Sequence, residues 1–182
     1  KKGMVIDREK GGFGGAEKEM QKHPWQKDRP FGDWQYNPNI VYPETKEIIW
    51  SLIDIVSKNG NLLLGMPMRP DGTYDERQYK FFEEMGQWMS VNGEAIYGTR
   101  PYDYYGEGAI RYTRKGNSIY AFVNTDILQS NQITFRLPNI KPKAIVELGS
   151  SNSIDFNQDG DQINIKLEQI NKAIYAFEIS GL

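Results

Sequence analysis

The chain has 182 residues, a formal net charge of -2 and no cysteine. This excludes disulfides, thiolate nucleophiles and Cys-based zinc sites, and gives no electrostatic footprint for nucleic acid or an anionic membrane. That length holds one domain or two small ones, and no apolar run approaches the ~20 residues that a membrane-spanning helix needs. With 11 Tyr, 8 Phe and 4 Trp, the aromatic content suits core packing, a domain interface or sugar stacking.

The chain opens on KKGMVIDRE, which reads as the start of a buried strand, so a mature or truncated chain is expected. Residues 3–7 (GMVID) form a short apolar run ending in Asp7-Arg8, and strands that deliver polar residues at their C-terminal ends build the sites of α/β barrels. A Gly-rich loop, GGFGGAEKE, follows and is free enough to lay a side chain over a pocket. Next comes HPWQKDRPFGDWQYNPN, read as a long polar and aromatic loop without regular structure, of the kind that is usually functional.

Residues 45–58 form a helix with apolar positions on more than one stripe, which calls for heavy burial. Asn59-Gly60 stops it. Residues 61–66 (NLLLGM) are a continuous apolar run, as in a parallel strand buried on both faces. After a turn at Asp71-Gly72, a second helix covers residues 75–91, with Phe81, Phe82, Met85, Trp88 and Met89 on one face. Helix, buried strand, helix is a piece of a parallel α/β architecture, and two or three strands cannot close such a sheet.

From Ala109 the apolar period falls to two. Strands are predicted at residues 110–114, 118–123, 132–137, 144–148, 154–156, 162–167 and 173–179, with tight turns at Lys115-Gly116-Asn117 and Asp159-Gly160. Short strands at this spacing point to an antiparallel β-sandwich. Tyr102, Tyr104 and Tyr105 at its start are read as packing residues, with sugar stacking as the alternative.

The candidate acids of the first part are Asp7, Glu9, Glu17, Glu19, Asp28 and Asp33. Glu17 is the most attractive because a Gly-rich loop carries it beyond a strand end; it is otherwise one of several solvated loop carboxylates. His23 is the only histidine, so a His-cluster metal site is excluded.

An ordered set of motifs then carries a resemblance. Ile6-Asp7-Arg8, Ala16-Glu17, Trp25-Gln26, Asp33-Trp34-Gln35-Tyr36-Asn37, Gly60-Asn61-Leu62-Leu63-Leu64-Gly65 with Pro67 and Asp71-Gly72, and Asn92-Gly93-Glu94-Ala95-Ile96-Tyr97-Gly98 follow one another. Together they resemble the α-L-fucosidases of glycoside hydrolase family 29 over roughly the first hundred residues. The resemblance implies that residues 1–98 are the C-terminal portion of a (β/α)8-type catalytic barrel and residues 99–182 a C-terminal antiparallel β-sandwich. It implies a retaining, exo-acting hydrolase that releases terminal fucose from a fucosylated oligosaccharide or glycoconjugate by double displacement, without a cofactor or metal.

In that reading Glu17 is the general acid and then the general base, and Arg8 binds the sugar or the nucleophile's carboxylate, an ion pair with Asp7 being its plainer role. Trp34 walls the pocket for the sugar's C6 methyl, or packs within the barrel, and Trp25 is a stacking surface for the next sugar. Gln26 stands where many members have Glu, which removes a second candidate acid and strengthens Glu17, and Gly65 stands where Asn is usual, which leaves galactose or another related sugar open. The family's nucleophile, an Asp in a Trp-x-Asp strand, is not in these residues, so the chain alone is expected to be inactive and to need the upstream part of the catalytic domain as its partner. The resemblance further implies a secreted or periplasmic enzyme, lysosomal in a eukaryote, with room for a homo-oligomer. A non-catalytic carbohydrate-binding β-sandwich is the alternative from another class.

Overall fold

The computed structural model describes residues 5–8, 17–128, 130–150 and 152–181. Its contacts divide the chain into two compact units, Lys1–Ser90 and Val91–Leu182. The boundary falls before Thr99 because the 3-10 turn Gly93–Ala95 belongs with the strands that follow, its Ala95 carbonyl accepting a hydrogen bond of 2.8 Å from the buried Thr113 hydroxyl.

In the first unit, β1 (Ile6–Arg8), β2 (Trp25–Pro30) and β3 (Gly60–Gly65) form a parallel sheet in that order. The sequence expectation for residues 3–7 is met only at its end, since residues 1–4 lie outside the described residues. The 23–39 segment corrects the reading of an irregular loop, because residues 25–30 within it are the middle strand of the sheet. No apolar alternation announces it: the buried positions of β2 are Trp25, Lys27 and Arg29, and pairing with neighbours on both sides overrides local propensity.

Helix α1 (Thr45–Ser57) begins with a capping box, in which the Glu47 carboxylate accepts the Glu44 amide at 3.1 Å. Beyond its C-cap Lys58, Asn59 takes a positive φ of 71°, a conformation that asparagine tolerates better than most residues. Helix α2 (Glu76–Asn92) starts on a second reciprocal cap. The Asp75 carboxylate accepts the Arg77 amide at 2.9 Å and the Gln78 side chain accepts the Asp75 amide at 2.9 Å. Ile48 of α1, Phe81 of α2 and Phe31 form the core of this unit, with Leu62 and Leu64 of β3 packed against it.

The second unit contains β4 (Arg100–Pro101), β5 (Ile110–Lys115), β6 (Ser118–Asn124), β7 (Gln132–Arg136), β8 (Ala144–Glu147), β9 (Phe156–Asp159), β10 (Gln162–Lys166) and β11 (Ile174–Ser180). They make two sheets, ordered β4-β5-β6-β11-β8 and β7-β10-β9, with antiparallel pairing between all neighbouring strands among the described residues. Period-two alternation turns Ile133, Phe135, Ile163 and Ile165 from the smaller sheet and Ile119, Val123, Phe177 and Ile179 from the larger one into a single buried cluster. Phe135 and Phe177 meet across the two sheets with ring centroids 5.8 Å apart. Tyr102 is 8% exposed and packs in this core, while Tyr104 packs against it half-buried.

The α2 cap has a pH consequence. Arg77 hydrogen bonds hold the Asp75 carboxyl down at about 2. A depressed folded-state pKa stabilises the cap above the unfolded value near 3.9 and loses that effect as pH falls to about 2. Urea unfolding of the wild type and of Asp75→Asn should therefore differ at pH 5 and converge near pH 2; a gap independent of pH would remove Asp75 from this role.

Candidate active-site edge

Parallel register fixes which residues share a face. Asp7, Gln26 and Asn61 lie in one row, Asp28 beside Leu63 in a second, and Pro30 beside Gly65 in a third. This face is open: Asp7, Asn61 and Leu63 are exposed and Gln26 and Asp28 half-buried. The opposite face carries Trp25, Lys27, Arg29, Leu62 and Leu64. It is covered by α1, with Arg29 Nη1 donating to Ser51 Oγ at 3.2 Å.

Trp25 is therefore corrected. Its ring is 1% exposed, and its indole N–H donates to the Lys58 carbonyl at 2.9 Å. A Cβ at Gly60 would stand 2.6 Å from that ring, so the strand passes the indole only because residue 60 is glycine. A surface so enclosed cannot stack on a sugar. Trp25 is a packing residue.

Trp34 behaves differently. It lies on the loop after β2, is 52% exposed, and its ring rests over the end of β3, Cζ3 being 3.3 Å from where a Gly65 Cβ would be. The departure at Gly65 thus makes room for the indole. The same loop end is tied to β3 by the Phe31 amide, which donates to the Gly65 carbonyl at 2.8 Å. Sequence reasoning missed a second pair nearby: Arg69, on the loop after β3, has its guanidinium 5.8 Å over the Tyr36 ring and Nη1 bonded to the Tyr74 carbonyl at 2.9 Å. Two loops from adjacent strand ends present both residues, although nothing in their spacing links them.

Glu17 is half-buried, and its carboxylate is close enough to Lys27 to favour the ammonium. Burial first, and then the Arg29 charge, pull Lys27 below its ordinary range, and Glu17 opposes both. Sequence reasoning did not foresee this partnership, because Lys27 was placed in a loop. Arg8 ends β1 in register with Lys27; its side chain lies outside the described residues, as do Glu9 and the Gly-rich residues 11–16. His23 is exposed.

Residues 9–94 match the family model for alpha-L-fucosidase. Residues 9–94 belong to the alpha-L-fucosidase family. The alpha-L-fucosidase of Branchiostoma floridae is 32% identical over 141 residues, which cover 71% of this chain and 30% of that protein. Human tissue alpha-L-fucosidase is 34% identical over 94 residues, 48% of this chain and 20% of the relative. Among solved structures, Thermotoga maritima alpha-fucosidase in complex with fucose aligns with a TM-score of 0.77 at 24% identity, covering 90% of this chain and 41% of that one. The alpha-L-fucosidase isoenzyme 1 of Paenibacillus thiaminolyticus gives 0.77 at 24%, covering 86% and 39%. At that identity the likeness is one of fold, and it extends beyond the fucosidase segment into the antiparallel unit. The chain spans less than half the length of each of these proteins.

Truncating a fully enclosed indole removes both its packing and its hydrogen bond, so Trp25→Ala should cost about 3–5 kcal/mol of stability in urea unfolding. An unchanged midpoint would return Trp25 to the candidate binding residues.

Proposed function

We propose that this chain is the C-terminal part of a retaining α-L-fucosidase, its first unit completing a (β/α)8 barrel and its second unit forming an antiparallel β-sandwich. The observation that carries the reading is the parallel sheet of the alpha-L-fucosidase segment, with its open polar face and with Trp34 laid over Gly65 at the strand ends. Active sites of parallel barrels form at that edge.

Glu17 is the acid/base in this proposal. It protonates the leaving oxygen and then activates water for the second displacement. The nucleophile comes from upstream sequence, and retention asks for a separation of ~5 Å between the two carboxyl groups. Lys27 restrains the Glu17 loop end from the protein side. Arg8 orients the sugar or the nucleophile through its planar fork, and the exposed face of Trp34 receives the apolar C6 methyl. The substrate is a terminal fucose on an oligosaccharide or glycoconjugate. Gly65, in place of the usual asparagine, bears on which sugar fits, since it sets the height of the indole above the strand end.

Joined to its upstream part, the protein should release fucose from an aryl α-L-fucoside faster than galactose or xylose from the matching glycosides. No hydrolysis by that joined enzyme would sink the assignment. Glu17→Ala should lose most activity and regain part of it with azide or a better leaving group. Unchanged turnover would place the acid elsewhere.

A further inference from the structure

The outer face of the smaller antiparallel sheet holds a feature that the hydrolase reading does not use. Thr134, Asn164 and Asn157 form one cross-strand row and Arg136, Gln162 and Asp159 the next. In the first row the Thr134 hydroxyl and the Asn164 side chain are hydrogen-bonded to each other at 2.7 Å. In the second, Arg136, Gln162 and Asp159 have no side-chain hydrogen-bond or ion-pair partner among the described residues. With Glu107, Thr134 and Asp161 they line an open depression of about 650 Å³, within the size range of small-molecule sites.

Geometry keeps the opposite charges of that row apart. Arg136 and Asp159 lie on the two outer strands with Gln162 between them, so their backbones are two strand spacings apart, roughly 9–10 Å. A guanidinium that only donates, an amide that does both and a carboxylate that only accepts are thus set side by side. Vicinal hydroxyls, each donor and acceptor, fit such a row. The rim is partly fixed in advance, because Asp161 accepts a hydrogen bond from the Asn139 amide at 3.3 Å.

The lining also excludes other ligands. Three carboxylates against one cation disfavour phosphates and other anions. Among the described residues no three His, Cys, Asp or Glu side chains are placed to hold a metal ion.

We infer that this face of the second unit binds a neutral pyranose, with Arg136, Gln162 and Asp159 as its hydrogen-bonding row. The inference stands apart from the hydrolase reading: it needs neither Glu17 nor an upstream nucleophile, and an inactive chain still binds.

Amide NMR spectra of the 182-residue chain, titrated separately with methyl α-L-fucopyranoside, methyl β-D-galactopyranoside and ethanolamine, test it. The expected result is saturable shifts with at least one of the sugars at residues 107, 134–136 and 159–162. Arg136→Ala and Asp159→Ala should each weaken binding by about tenfold, or roughly 1.4 kcal/mol, and leave the spectrum of the core unchanged, both side chains being exposed. Shifts that do not saturate, shifts confined to residues 5–90, a response to ethanolamine alone, or variants that bind like the wild type would overturn it.

Discussion

The first unit depends on one close approach, the indole of Trp25 lying against the backbone of Gly60. Trp25 opens β2 and Gly60 opens β3, and the two are register partners. The ring fills the space that a side chain at residue 60 would need, and its N–H satisfies the Lys58 carbonyl at the end of α1. One side chain thereby fixes the register of two strands and the place where the intervening helix stops. A one-residue slip would turn Lys27 and Arg29 from the covered face to the open one. It would also carry Gln26 and Asp28 beneath α1.

That register explains how strongly charged residues come to lie under a helix. Lys27 and Arg29 are nearly buried, yet neither is left to itself: Arg29 meets Ser51 and the charge of Glu47, and Lys27 meets the charge of Glu17. Burying a charge is costly unless partners compensate. The charge that Lys27 meets is that of the candidate acid, Glu17, which offsets part of the cost of burying the ammonium. The second unit solves its own problem by more ordinary means, alternating apolar residues from two antiparallel sheets into a shared core. Its polar outer row is then free of structural duties, which is why a binding role can be assigned to it.

Much of the architecture was legible from pattern. Residues 45–58 and 75–91 read as helices because apolar positions recur at helical spacing, and 110–114, 118–123 and 162–167 read as strands because they alternate. β2 was not legible. Its buried positions carry Lys and Arg, and the apolar signal that marks a strand was missing where the strand is most enclosed. The two-residue β4 was missed as well, being too short to show any period. Trp25 misled for a related reason, since an aromatic ring in an apparent loop looks available, and only the strand assignment shows that it points under α1.

The sequence by itself determined the family, through ordered motifs from Ile6 to Gly98, and the change from helical to alternating patterning along the chain, because both are properties of local order. Tertiary structure decided which face of β2 is covered, that Trp34 lies over Gly65 while Trp25 is enclosed, and that Arg136, Gln162 and Asp159 stand in one row. These relations join residues far apart in the chain, and they follow from strand register and from the space that a missing Cβ leaves open. Periodicity within a single segment carries neither.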